Sequence, residues 1–191
     1  MSKPRRQLLD ERQYLASEAV AAQRHEYVDG IAYAMAGADE QHNRIAGNVF
    51  VVLRSAARGT PCGVYISDMK LRVNGGRVYY YPDVMLSGEP ATPDSLFKEA
   101  PCLVAEVLSS STRAVDTRGK LLTYRGIASL RYYVLVDSER LSVSYYVRSK
   151  QGEWLSATLD AGERIDVECG PVTVSLGLSE IYEDTGLLSV A

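Results

Sequence analysis

The chain has 191 residues, 46% of them apolar and 24% charged, with a net charge of −3. That length allows one domain with a sizeable core, and the composition is that of a globular protein rather than a disordered or fibrous one. No apolar run approaches the roughly 18 residues of a membrane-spanning helix, and the opening Met1-Ser2-Lys3-Pro4-Arg5-Arg6 is too charged for a signal peptide.

Residues 5–23 carry Leu8, Leu9, Tyr14, Leu15, Ala19 and Val20 at roughly helical spacing, which predicts a short amphipathic helix. In His25-Glu26-Tyr27-Val28-Asp29-Gly30-Ile31 an Asp-Gly pair sits between apolar residues, the signal of a hairpin with strands 25–28 and 31–35. Gly37-Ala38-Asp39-Glu40 reads as a loop whose Asp39 caps a helix over 41–58. On that helix Ile45, Val49, Val52, Leu53 and Ala56 form one apolar stripe, with Arg44, Asn48, Arg54 and Arg58 largely off it. Strands 64–73 and 77–86 are expected on either side of the turn Asn74-Gly75-Gly76. Residues 87–100 are a loop with a helical turn near 93–98, and 102–108 is an apolar strand interrupted by Glu106. Ser109-Ser110-Ser111-Thr112 predicts the cap of a helix of about 112–128, ended near Gly126. A buried strand at 132–137, an antiparallel meander through 141–148, 153–159, 164–168 and 171–175, and a short helix at 178–182 complete the chain. This order predicts an α/β (α+β) fold in one domain spanning 1–191. Its core, about 41–137, is a central mixed β-sheet flanked by helices, with an added N-terminal hairpin and a C-terminal antiparallel meander.

Charge is uneven along the chain. Residues 150–191 hold Lys150 and Arg164 against eight acids, so the front of the molecule is net basic. Residues 41–58 contain Arg44, Arg54 and Arg58 and no acid, while 112–131 set Arg113, Arg118, Lys120, Arg125 and Arg131 against Asp116 alone. Arg113, Arg118 and Arg125 are therefore candidates to track nucleic-acid phosphates. The cysteines Cys62, Cys102 and Cys169 are far apart and lack C-x-x-C spacing. They predict reduced thiols and a cytoplasmic location rather than a disulfide scaffold or zinc site.

The chemistry concentrates in the stretch 79–108. Two strand-like apolar runs there each carry one carboxylate, Asp83 and Glu106. An ionised carboxylate in a buried strand is costly unless paired or bound to a cation. If the two strands pair, both acids fall within reach of one hard ion, Mg²⁺ or Mn²⁺, with the backbone carbonyl of Val107 as a third ligand. The plain alternative for each acid is a strand-end residue paired with an arginine. Asp116 and Lys120, spaced i, i+4, share a helix face near the end of strand 102–108. Lys120 is thus a candidate to stabilise charge developing on a phosphoryl group, against the ordinary outcome of a solvated helical ion pair. Glu26 as an extra ligand and His42 as a group orienting water or touching phosphate are auxiliary candidates. Their ordinary outcomes are an exposed strand-end acid and a helix-start cap. The thirteen tyrosines read mainly as strand packing. Patterns for a nucleophile elbow, a P-loop, a dinucleotide-binding turn and an H-E-x-x-H metal helix are all absent.

These residues, in this order, resemble the Uma2 family, a branch of the PD-(D/E)xK nuclease superfamily. The resemblance rests on Glu26-Tyr27-Val28-Asp29-Gly30, His42 at a helix start, Tyr81-Pro82-Asp83-Val84, Glu106-Val107-Leu108 with its serine run, Asp116 with Lys120, and Tyr132-Tyr133-Val134-Leu135-Val136-Asp137. It implies a restriction-endonuclease-like core, Mg²⁺-dependent phosphodiester hydrolysis, a nucleic-acid partner expected to be DNA, and a homodimer. It also implies Asp83 and Glu106 as metal ligands. Position 108, where the superfamily pattern has lysine, is Leu. Within the family a lysine of the following helix takes that place, and Lys120 is the matching position. Two other classes stay open: a nuclease-fold module that binds nucleic acid or protein without cleaving it, and an RNA-directed nuclease.

Overall fold

The computed structural model describes residues 8–92, 95–109, 113 and 115–190. Asp10 starts α1 (Glu11–Val20) with a capping box, its carboxylate accepting the Gln13 amide while the Gln13 side chain accepts the Asp10 amide. That cap is why the helix begins at Glu11; residues 5–7 of the expected span lie outside the described residues. Strands β1 (His25–Val28) and β2 (Ile31–Ala34) form the expected hairpin. Asp29 and Gly30 at its tip have φ of 46° and 93°, the left-handed pair that a type I′ turn requires. Asp39 caps α2 (Glu40–Ala56) as expected, accepting the His42 amide at 2.8 Å. Ile45, Ala46, Val49 and Leu53 of α2 are buried, and Arg44 and Arg54 lie exposed on its other side.

The long strands expected at 64–73 and 77–86 are each broken in two. The first becomes β3 (Gly63–Ile66) and β4 (Lys70–Val73), and the second β5 (Val78–Tyr80) and β6 (Val84–Ser87). Pro82 has no N–H to give a ladder, so the strand cannot run through it. Opposite that break Ser67 takes a left-handed φ of 54°, and its amide reaches the Asp83 carbonyl at 3.1 Å. The hairpin therefore folds over at one level, β4 and β5 entering one sheet and β3 and β6 another.

In place of a helical turn, the next loop holds the short strand β7 (Phe97–Lys98), parallel to β4; residues 93 and 94 of that expectation lie outside the described residues. The strand β8 (Pro101–Leu108) follows. The helix expected at 112–128 is instead one stretch of π-helix (Val115–Lys120) running into α3 (Leu121–Arg125), which does end at Gly126. Residues 110–112 of its expected cap are outside the described set. The rest comprises β9 (Tyr132–Asp137), β10 (Val143–Arg148), β11 (Trp154–Thr158), β12 (Arg164–Cys169), β13 (Val172–Gly177) and α4 (Leu178–Ile181).

The larger sheet has the order β11-β10-β9-β8-β6-β3 and is mixed, β8–β9 being parallel and the other pairs antiparallel. The smaller sheet runs β2-β1-β5-β4-β7. The expected meander stops at β11, because β12 and β13 pair only with each other. Along β12, Ile165, Val167 and Cys169 are buried between exposed Arg164, Asp166 and Glu168. One apolar face of that hairpin covers the α2 side of the core instead of extending a sheet edge.

The expectation of three reduced thiols also fails. Cys102 and Cys169 are disulfide-bonded, their Cα atoms 5.8 Å apart, and Cys62 is free. Folding the β12–β13 hairpin against β8 closes a sequence separation of 67 that spacing rules cannot see. Among the described residues no helix is long and apolar enough to cross a membrane.

Strand β8 divides the core. Leu103, Ala105 and Val107 pack with Ile45, Val49 and Leu53 of α2, each such side chain worth about 1.5–3 kcal/mol of burial when it is a full aliphatic. Val104 and Leu108 pack with Tyr80, Tyr124 and Tyr133 on the opposite side. Strand alternation puts Glu106 on that second, tyrosine-rich side.

Candidate active site

Glu106 is 3% exposed, and three other elements converge on it. From the π-helical stretch comes Lys120, whose Nζ lies 3.1 Å from Glu106 Oε1 and 3.1 Å from Asp116 Oδ1. From β1 comes Glu26, its Oε1 2.8 Å from the same ammonium in an ion pair without good hydrogen-bond direction. From α3 comes Tyr124, whose hydroxyl donates to Glu106 Oε1 at 2.9 Å. The ammonium also sits 5.3 Å from the ring centre of Tyr80. Asp116 and Lys120 are both buried. The ordinary outcome of a solvated helical pair is therefore excluded, as is that of an exposed strand-end acid for Glu26. The π-helical winding is in keeping with this, since such turns are frequent at functional sites.

Asp83 enters from the break between β5 and β6, one residue before β6 begins. The β6–β8 register pairs Val84 with Ala105, and one further step sets Asp83 opposite Glu106. Asp83 Oδ2 accepts the Val107 amide at 2.7 Å, and its Oδ1 lies 2.9 Å from His42 Nε2. A strand residue points its N–H and C=O to the same edge, so the Val107 carbonyl faces the Asp83 side as well. His42 is thus more than a helix-start cap: its backbone closes the cap and its ring holds Asp83. Burial lowers the His42 pKa, but the bond and charge of Asp83 outweigh it and the net shift is upward.

The electrostatics are lopsided. Glu106 is pushed well above the usual carboxylate range by burial, with Asp116, Asp83 and Glu26 adding to the push and Lys120 opposing it. Burial works against the Lys120 ammonium, yet Glu106, Glu26 and Asp116 hold its pKa well above the ordinary value. Three carboxylates share one ammonium, and a fourth is beside them. These oxygen donors suit a hard divalent cation. Among the described residues no three His, Cys, Asp or Glu side chains close around a point as a finished metal cage. Mg²⁺ takes one or two carboxylates and keeps several waters, so the donor set of Asp83, Glu106 and the Val107 carbonyl fits it without such a cage.

Residues 12–179 match the model of the Uma2 family, described as "Putative restriction endonuclease". The chain belongs to the Uma2 family. Its relatives include two uncharacterized proteins of Synechocystis sp. One, slr1290, is 33% identical over 90% of this chain and 87% of its own length. The other, sll1609, is 32% identical over 84% of this chain and 92% of its own length. The crystal structure of a putative nuclease belonging to DUF820 from Anabaena variabilis superposes with a TM-score of 0.69. It covers 91% of this chain and 97% of that one at 16% identity, which identifies the fold as restriction-endonuclease-like.

In this Uma2 protein the arginines expected to face phosphates separate. Arg118 is exposed. Arg113 is bound to buried Asp137 at 2.7 Å, and the Arg125 guanidinium lies 5.6 Å from the Tyr146 ring centre. Both are engaged with the protein itself. The site also includes tyrosines that the sequence did not single out. Tyr124 bonds Glu106, Tyr80 lies under Lys120, and the Tyr133 hydroxyl donates to the Asp116 carbonyl at 2.9 Å. Tyr124 is spaced i, i+4 from Lys120, the one signal that could have placed it on the same face.

Proposed function

We propose that the protein is a metal-dependent endonuclease that cleaves phosphodiester bonds in DNA. The observation that carries this reading is the excess of buried negative charge, with Glu26, Glu106 and Asp116 gathered on one ammonium at the strand ends where Asp83 also lies. Asp83, Glu106 and the Val107 carbonyl would hold Mg²⁺ or Mn²⁺, which when bound supplies an electrophile for a phosphoryl oxygen and a water acidic enough to attack at neutral pH. His42 and the Val107 amide fix both oxygens of Asp83 before any ligand arrives. Lys120 replaces the strand lysine absent at Leu108. Three carboxylate oxygens already lie within 3.1 Å of its Nζ, so it serves a phosphate by giving up one of them. Exposed Arg118 on the same stretch suits contact with a flanking phosphate.

A plasmid-nicking assay in Mg²⁺ or Mn²⁺ tests the reading, with Asp83→Ala and Glu106→Ala alongside the native chain. The expected result is nicking by the native protein that either variant loses. A second reading, a module that binds nucleic acid without cutting it, is favoured by the saturation of Lys120 and by the buried Leu108. Retention of labelled DNA with no nicking in either metal would select it. Preferential cleavage of RNA would reassign the substrate.

A further inference from the structure

Two donors hold the same oxygen of Glu106, and they differ in stiffness. Lys120 reaches Oε1 from the end of a long stem and divides itself among Glu106, Glu26 and Asp116. Tyr124 is fully buried and undivided. Its ring packs edge-on against Tyr80, centroids 5.5 Å apart at 84°, and against Tyr133 at 5.0 Å and 76°. Tyr133 is anchored in turn, its hydroxyl bonded to the Asp116 carbonyl at 2.9 Å. The phenol oxygen of Tyr124 is therefore a fixed point, and a carboxylate bonded to it cannot rotate freely.

We infer that Tyr124 is the positioning residue that sets the rotation of Glu106, holding Oε1 so that the second oxygen, Oε2, is turned out to ligate a divalent cation. The inference rests on the metal-dependent reading above and deepens it. Outer partners of this kind fix ligand orientation, and their loss weakens metal binding even when every ligand remains. The role belongs to the hydroxyl and not to the ring. Tyr124→Phe isolates it, because the aromatic packing with Tyr80 and Tyr133 stays while the bond to Glu106 goes. Tyr182→Phe is the matched control. That tyrosine is equally buried, but its hydroxyl serves Asp137, Arg140 and Ser142 and touches no carboxylate of the site.

The experiment is a calorimetric Mn²⁺ titration of the full chain in three forms, native, Tyr124→Phe and Tyr182→Phe, with the thermal midpoint of each metal-free protein measured beside it. Tyr124→Phe is expected to bind Mn²⁺ about 10–100-fold more weakly, and Tyr182→Phe to lose stability while binding Mn²⁺ like the native chain. In nicking assays, Tyr124→Phe is expected to need proportionally more Mn²⁺ and to recover cleavage at saturation. Native-like affinity in Tyr124→Phe overturns the inference and leaves the metal reading standing. Equal weakening in both variants also overturns it, since the effect would then be general loosening. A native chain that binds no Mn²⁺ removes the metal reading and this inference together.

Discussion

Two buried glutamates in this protein are built alike and balanced differently. Glu106 and Glu18 are 3% and 2% exposed, and each accepts a tyrosine hydroxyl at 2.9 Å, from Tyr124 and Tyr81 respectively. The same two strands serve both. On β1, His25 turns to Glu18 and its neighbour Glu26 to Lys120. At the end of β5, Tyr80 lies under Lys120 while the next residue, Tyr81, bonds Glu18. This is strand alternation applied to two polar clusters. The difference lies in the balance of charge. Glu18 accepts the His25 amide at 2.9 Å, lies 3.2 Å from His25 Nδ1 and accepts Tyr81, with no second carboxylate bonded into the group among the described residues. Glu106 shares its single ammonium with Glu26 and Asp116. A buried carboxylate surrounded by donors is a finished structural unit. A buried group of carboxylates with too few cations is left to take up a proton or a cation, and the proposed reading has it take a divalent metal.

The sharpest way to break that comparison is to remove each glutamate and measure cleavage. Glu106→Ala is expected to reduce plasmid nicking to background, and Glu18→Gln to leave the rate at saturating Mn²⁺ unchanged. Equal losses would make both clusters structural. Lys120→Met comes next. Without the ammonium two buried carboxylates and half-buried Glu26 face one another, and the metal-free protein should lose about 3–5 kcal/mol in denaturant unfolding. Added Mn²⁺ should recover part of this, because a cation that binds only the native state stabilises it. Cleavage by Lys120→Met is expected to fall about 10²–10³-fold, the usual cost of one electrostatic contact to the transition state. Native cleavage rates would remove Lys120 from the chemistry. Glu18→Gln should cost about 1–3 kcal/mol of stability, the range for a buried hydrogen-bond partner disturbed.

The smallest effect is expected away from both clusters, at Asp137. Burial would raise its pKa, but Arg113, the Glu139 amide and Arg140 outweigh burial and hold it below the ordinary 3.8. A carboxyl depressed on folding contributes stability that is fully present above its unfolded pKa and is lost as pH falls through the folded value. Arg113→Ala should therefore raise the midpoint of acid unfolding and lower stability near neutral pH by about 0.5–1.5 kcal/mol, since the Glu139 amide and Arg140 still bond Asp137. An unshifted acid midpoint would show that Arg113 is not what holds Asp137.

Much of the fold was legible because its signals are local. Asp39 before an apolar stripe capped α2, and Asp29-Gly30 turned the first hairpin, since each depends on backbone conformation within a few residues. Asp83 and Glu106 stood out because a charge in an apolar, strand-like run is anomalous wherever the run goes. The break at Pro82 had a local signal in the proline, but the one at Ser67 had none because alternation continues across a corner, and only the sheet assignments of the two halves reveal the fold-over. The Cys102–Cys169 bond was missed for a similar reason: it joins elements that meet only in the folded chain.

By itself the sequence determined which residues carry charge into apolar strands and in what order the elements follow, since hydrophobic periodicity and turn chemistry act over a few residues. Only the tertiary structure decided that Asp116 and Lys120 are buried partners, with half-buried Glu26 joined to them, and not surface groups. It likewise decided that Tyr124 holds Glu106, and that Arg113 and Arg125 turn inward. The physical reason is that burial and charge balance are properties of a place, and that place exists only once β1, β8 and the π-helical stretch have been brought together.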